Sequence, residues 1–202
     1  MDAFNLLKQD HRKVEELFSQ LESSRGQAKL RVFEQIKMEL ELHAHIEEKV
    51  FYPALEESKQ THELVLEAYE EHDVVKKLLR ELGRAKTANE EWEAKAKVLQ
   101  ENVEHHVEEE ENELFKKASA ALSQEEIEEL GEELAAEKNR KQRTASKSSG
   151  SKKSAGASKS ASKTKSASTA AKRARSTATK KGGSKKAGSG TKSRSKKAAK
   201  KK

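Results

Sequence analysis

Apolar residues recur at alternating steps of three and four through residues 4–114, the spacing that lines one face of an α-helix. A first stripe runs Phe4, Leu7, His11, Val14, Phe18, Leu21, and a second Phe33, Ile36, Leu40, His43, Glu47, Val50, Ala54. A third runs Val65, Ala68, His72, Val75, Leu79, Leu82, and a fourth Trp92, Ala96, Leu99, Val103, His106, Glu110, Leu114. Four amphipathic helices are expected, near 2–23, 27–57, 61–83 and 88–119. Ser123 with Glu126 three residues later makes a capping box for a short fifth helix over about 123–137. Pro53 is expected to end or kink the second helix.

The stripes also repeat. Asp10-His11 with Val14, Leu17 and Phe18 lines up with Glu71-His72, Val75, Leu78 and Leu79. His43 to Tyr52 lines up with His106 to Phe115. The histidines of the first half stand 32 residues apart (His11, His43), those of the second 34 (His72, His106). A helix hairpin occurring twice predicts an all-α fold, an up-down four-helix bundle.

Polar residues interrupt the stripes at six places: His11, His43, Glu47, His72, His106 and Glu110. A buried glutamate must be protonated, paired or coordinated, because an uncompensated carboxylate costs several kcal/mol in an apolar interior. Each glutamate follows a histidine by four residues, one turn along the same face. One candidate ligand from each odd helix and two from each even helix can meet at one level of the core. Two carboxylates and four imidazoles suit a pair of metal ions. The absence of thiolates favours iron or manganese, and zinc uses the same atoms. The competing reading is a histidine–glutamate hydrogen-bond network without metal. His45, His62 and His105 fall away from the stripes or the ligand level and are expected to stay outside the site. Tyr52 and Tyr69 are expected in core packing, with a place beside the cavity as the alternative.

Charge divides the chain in two. All 35 acidic residues precede Lys138, and 24 of the 42 Lys and Arg follow Glu137, so residues 1–137 carry −17 and residues 138–202 carry +24. The second segment consists mainly of Lys, Ser, Ala, Thr, Gly and Arg, without aromatic residues. Its composition cannot offset the entropy of ordering, so a disordered tail is expected over 138–202. Lysine pairs such as Lys152-Lys153 and Lys185-Lys186, spaced by small residues, suit sequence-independent binding to nucleic acid, DNA ahead of RNA. This stretch resembles the lysine-rich tails of linker histones. With no cysteine, no signal sequence and no long apolar run, the reading is a cytoplasmic protein, nucleoid-associated, with no membrane partner.

The residues of the head resemble the hemerythrin-like, HHE cation-binding family across 1–137. The likeness rests on Asp10-His11 with Val14 and Leu17-Phe18, His43 to Pro53, Glu71-His72, and His106 to Phe115. It implies a non-haem di-iron centre, two iron ions held by His11, His43, Glu47, His72, His106 and Glu110, that meets O2, NO or peroxide. The chain departs from the oxygen carriers of that family. Their third helix has a second histidine where this one has Ala68 or Lys76. Their last carboxylate lies five residues after its histidine. Here Glu110 lies at four, with Glu111 at five as the alternative.

The leading functional expectation is therefore a binding or sensing module for O2, NO, peroxide or iron, tethered to DNA by the basic tail. A di-iron enzyme of ferroxidase, peroxidase or NO-reductase type is the first alternative. An architectural nucleoid protein with the bundle as scaffold is the second.

Overall fold

The computed structural model describes residues 1–154. The expected behaviour of residues 155–202, including most of the lysine clusters, lies outside the described residues. Among the described residues there are five helices and no strand. α1 spans Ala3–Ser23, with the Asp2 side chain accepting from the Asn5 N–H at 2.8 Å as its N-cap. α2 begins as Gly26–Ile46, widens into a π turn at Glu47–Phe51 and resumes as Tyr52–Glu56. α3 spans His62–Leu82. α4 begins as Glu90–Glu109, widens at Glu110–Leu114 and resumes as Phe115–Ala121. α5 spans Gln124–Ser154.

Short connections fold neighbouring helices back on one another. Between α1 and α2 only Ser24 and Arg25 intervene, and Gly26 takes a φ of 55°, which glycine alone adopts without a Cβ penalty. The Ser123–Glu126 capping box forms as the sequence predicts: Ser123 N–H donates to Glu126 Oε2 at 2.7 Å.

Two apolar clusters fill the bundle. One joins Leu7, Ile46, Phe51, Leu55, Val65 and Leu114 to Ile127, Leu130 and Leu134 of α5. The other joins Val14, Phe18, Phe33, Ile36, Leu79, Leu99 and Trp92 toward the opposite end. The six polar interruptions occupy the level between them. α5 lies over α1 and α2, and Gly131 permits the approach: a Cβ there would come 2.7 Å from Ala3 N.

Two expectations are corrected. First, the stripe of α2 moves by one residue beyond Glu47: Phe51 and Leu55 are buried, whereas Val50 is half-buried and Ala54 exposed. The π turn supplies the cause. In a regular α-helix Leu55 would lie about 120° around from His43, and the extra residue of the wide turn restores it to the inner face. Pro53, which has no N–H to give to the preceding turn, stands one residue past the wide turn, and the helix passes through it. Second, α5 is not short. It crosses Glu137 and keeps helical backbone through Ser154, so residues 138–154 are not irregular. Once nucleated at Gln124, a helix extends cheaply through Lys, Arg, Gln and Ala, and past Gly131 no Pro or Gly intervenes before Gly150. Basic residues in its later turns also match the helix dipole.

Candidate metal centre

α1 and α3 each deliver one imidazole, His11 and His72. α2 and α4 each deliver an imidazole and a carboxylate, His43 with Glu47 and His106 with Glu110. All six are buried, and Glu47 and Glu110 are only 0% and 2% exposed. Both glutamates open a π turn, so the local widening of α2 and α4 begins at the two carboxylates. π turns concentrate at functional sites because they re-aim a side chain without breaking the helix.

The imidazoles face one another in pairs. His11 Nε2 lies 3.1 Å from His43 Nε2, and His72 Nε2 lies 3.2 Å from His106 Nε2. Glu47 spans the pairs, with Oε1 3.1 Å from His43 Nε2 and Oε2 3.3 Å from His72 Nε2. Glu110 Oε2 approaches His11 Nε2 at 3.2 Å. The result is two overlapping donor sets, His11–His43–Glu47–Glu110 and Glu47–His72–His106. The carboxylates are shared unequally, Glu47 by both sets and Glu110 by the first.

The donor atoms fit a metal cation. All four carboxylate oxygens of Glu47 and Glu110 are buried without a hydrogen-bond partner, a costly state for acceptors that no cation satisfies. Converging imidazole nitrogens and carboxylate oxygens, without thiolate, are the donor chemistry of iron, manganese or zinc.

Outer carboxylates orient the rings. His11 Nδ1 lies 2.7 Å from Glu111 Oε1, His72 Nδ1 2.9 Å from Glu48 Oε1, and His106 Nδ1 2.7 Å from Glu71 Oε2. Such partners fix which ring nitrogen carries the proton and leave Nε2 free to ligate. His43 differs: its Nδ1 is buried without a hydrogen bond, and the nearest carboxylate oxygen, Asp10 Oδ2, is 3.8 Å away. Asp10 is gripped instead by Lys138 of α5, through both oxygens, Oδ2 at 2.6 Å. Lys76 also reaches an outer carboxylate, Glu48 Oε1 at 2.5 Å, but there the His72 bond survives.

Without a metal the layer compensates its own charge. Burial opposes a charge on His43, yet the Glu47 carboxylate outweighs it and pushes the imidazole up to about 10. Burial likewise opposes charge on His72, and the Glu47 and Glu48 carboxylates push it up to about 9. Burial would raise Glu47, but His43 and His72 hold it well below the usual carboxylate range. Asp10, Glu48 and Glu71 are also depressed, against burial, by their imidazole and lysine neighbours.

A cavity of about 20 Å³ touches all four imidazoles and is walled by Val14, Leu40, Ala44, Val75, Val103 and Val107. That is room for about one water-sized molecule. A surface groove of about 560 Å³ between α1 and α4 shares His11, Val14, Val103 and Val107 with it.

The other histidines stand apart from the six. His45 Nε2 pairs with Glu137 Oε1 at 2.6 Å, and His62 meets the Glu56 carbonyl at 3.0 Å. His105 is exposed and forms a peripheral group with Glu71 and Glu109. Tyr52 lies closer to the site than its core-packing expectation: its hydroxyl is 3.3 Å from His72 Nε2, with Tyr69 edge-on behind it at 5.2 Å. Glu111, the alternative ligand in the sequence, faces Nδ1 of His11. Sequence reasoning missed Asp10, Glu48 and Glu71 as outer partners. The available signal was an acidic residue beside a candidate ligand at matching places in both repeats.

The family described as "Hemerythrin HHE cation binding domain" matches residues 2–118. The crystal structure of a hemerythrin HHE cation binding domain-containing protein from Mycobacterium kansasii is similar at 25% identity and a TM-score of 0.63, covering 72% of this chain and 90% of that one. A protein of Nostoc sp. named "DNA nickase" is 31% identical over 155 residues, which span 74% of this chain and 43% of the relative.

Proposed function

The chain belongs to the hemerythrin HHE cation-binding domain family, and on that premise we propose that it holds two iron ions in the central layer and responds to a small oxidant or diatomic ligand there. His11 and His43 with Glu110 would hold one ion, His72 and His106 the other, and Glu47 would face both. One observation carries the reading: two buried carboxylates without hydrogen-bond partners face four converging imidazole nitrogens. When bound, the irons would supply reversible redox change and open coordination positions for O2, NO or peroxide.

The chain's own residues do the rest. Glu111, Glu48 and Glu71 hold three imidazoles with Nε2 turned inward. Valines wall the cavity beside the rings and favour a small, uncharged ligand over a large anion. Tyr52, whose hydroxyl is raised well above its ordinary value by burial and by Glu47, keeps its proton at neutral pH beside His72.

The experiment that tests this reading quantifies metal in the purified chain and records its absorption before and after dithionite, NO and air. About two irons per chain, with ferric bands that vanish in His72→Ala, are expected from a dinuclear site. A folded, helical chain that takes up no iron would leave only the metal-free network.

The second component of the proposal is DNA. The +24 charge of residues 138–202 favours it, and so does the name of the Nostoc relative. About ten phosphate contacts would give a log–log salt slope near −9. That name also favours a second reading, strand nicking. Metal-dependent conversion of supercoiled plasmid to open circles would support it, and an unchanged plasmid would sink it.

A further inference from the structure

We propose that Lys138 of α5 and His43 of the metal layer compete for Asp10, so that metal uptake loosens the end of α5 and α5 in turn weakens metal binding. The inference rests on the metal-binding reading above and deepens it.

The two repeats supply the argument. Asp10 and Glu71 hold equivalent places, each just before the first histidine of its repeat and each beside the second. Glu71 accepts from His106 Nδ1 at 2.7 Å. Asp10 stands 3.8 Å from His43 Nδ1 and leaves that nitrogen without a hydrogen bond. Position in the repeat therefore does not explain the difference; a side chain one methylene shorter and a facing lysine do. Lys138 takes both Asp10 oxygens. A lysine nearby is not sufficient to displace an imidazole, because Lys76 takes one oxygen of Glu48 while His72 keeps its bond to that same atom. The two-oxygen grip is what sets Lys138 apart.

Coordination through Nε2 keeps the His43 proton on Nδ1 and puts a divalent ion where the metal-free ring has a proton, which strengthens the pull of that buried N–H on an acceptor. Asp10 is the nearest one. Turning toward His43 loosens its hold on Lys138. The contact lies at a transition in α5. Glu137 just before it stays tied to His45 at 2.6 Å, whereas the side chains from Asn139 to Thr144, with Arg140, Lys141 and Arg143 among them, are exposed. Loosening at Lys138 thus frees the basic turns of α5 and leaves its earlier turns docked. Because linkage is reciprocal, undocking these turns tightens metal binding by the same factor.

The test uses the full chain, anaerobic Fe(II) as the probe, a competing chelator for affinity, and hydrogen exchange of peptides covering 138–146. In the wild type, Fe(II) should speed exchange in those peptides. Lys138→Met should bind Fe(II) up to about tenfold more tightly, within the range that outer-shell partners command, and its exchange should be fast with or without metal. Lys138→Arg should restore wild-type behaviour. Asp10→Asn, which removes the shared acceptor, should make exchange independent of metal. Equal or weaker Fe(II) binding in Lys138→Met, or slower exchange on loading the wild type, overturns the competition. A wild-type chain that takes up no Fe(II) overturns the metal-binding reading, and this inference with it.

Discussion

The first hairpin, α1 with α2, and the second, α3 with α4, share one residue grammar and use it differently. Each places an acidic residue before its first histidine, a second histidine on the next helix, and a glutamate at the opening of a π turn. Yet Glu47 of the first hairpin faces both imidazole pairs while Glu110 faces one. Glu71 bonds its histidine while Asp10 bonds a lysine. The second difference comes from outside the repeat, because α5 packs on α1 and α2 and brings Lys138 to Asp10. A duplicated motif supplies equivalent side chains, and the unduplicated element makes their outer partners unequal.

Breaking the shared carboxylate should have the largest effect. Glu47→Gln removes the charge that faces both donor sets, and metal affinity should fall by more than the ~100-fold typical of an outer partner, as read from bound metal after dialysis. Glu110→Gln should cost less and should spare the His72–His106 set. Equal losses in the two variants would refute the asymmetry.

The outer carboxylates come next. Glu71→Gln should lower metal affinity by about 10–100-fold. Asp10→Asn should lower it less, because part of the Asp10–His43 contact is spent in displacing Lys138. Chelator competition on both variants side by side decides the order.

Proton binding sharpens the contrast between the metal-free and loaded layers. The raised values of His43 and His72 make their contribution complete below about 6.5, and it is lost as pH rises through about 9 to 10. The depressed values of Glu47, Glu48, Asp10 and Glu71 make theirs complete above the ordinary carboxylate range, and it is lost as pH falls below that range. The metal-free chain should therefore melt highest between these limits and lose melting temperature toward pH 10. Metal uptake near pH 8 should release protons, which a pH indicator records.

Smallest in its effect on the metal layer is a change at Gly131. Gly131→Ala forces α5 away from the first residues of α1 and should destabilise the fold by about 1–3 kcal/mol. Urea melts should show the loss, with metal stoichiometry unchanged.

The fold and the six inward polar residues were legible because contrast was high. A histidine or glutamate among Phe33, Ile36 and Leu40 stands out, and its spacing identifies the face. The π turns were not legible, since a wide turn adds a residue without altering composition, and regular helical spacing leads from Glu47 to Val50 rather than to Phe51. Asp10, Glu48 and Glu71 were hidden for the opposite reason. They sit at the margin of helix faces already crowded with glutamate, where one carboxylate reads like the next. The reach of α5 past Glu137 was not legible because composition reports on burial, and a helix already under way needs little burial to continue.

The close pass of Gly131 over Ala3 has a bearing on the order of events during synthesis. All six inward polar residues have been translated by Glu110, but the cover over the start of α1 is made by residues twenty and more positions later. A nascent chain that has emerged through Leu122 owns every donor atom while one end of its core still lies open to water. The ribosome thus delivers all six inward polar residues before the seal over that end of the core.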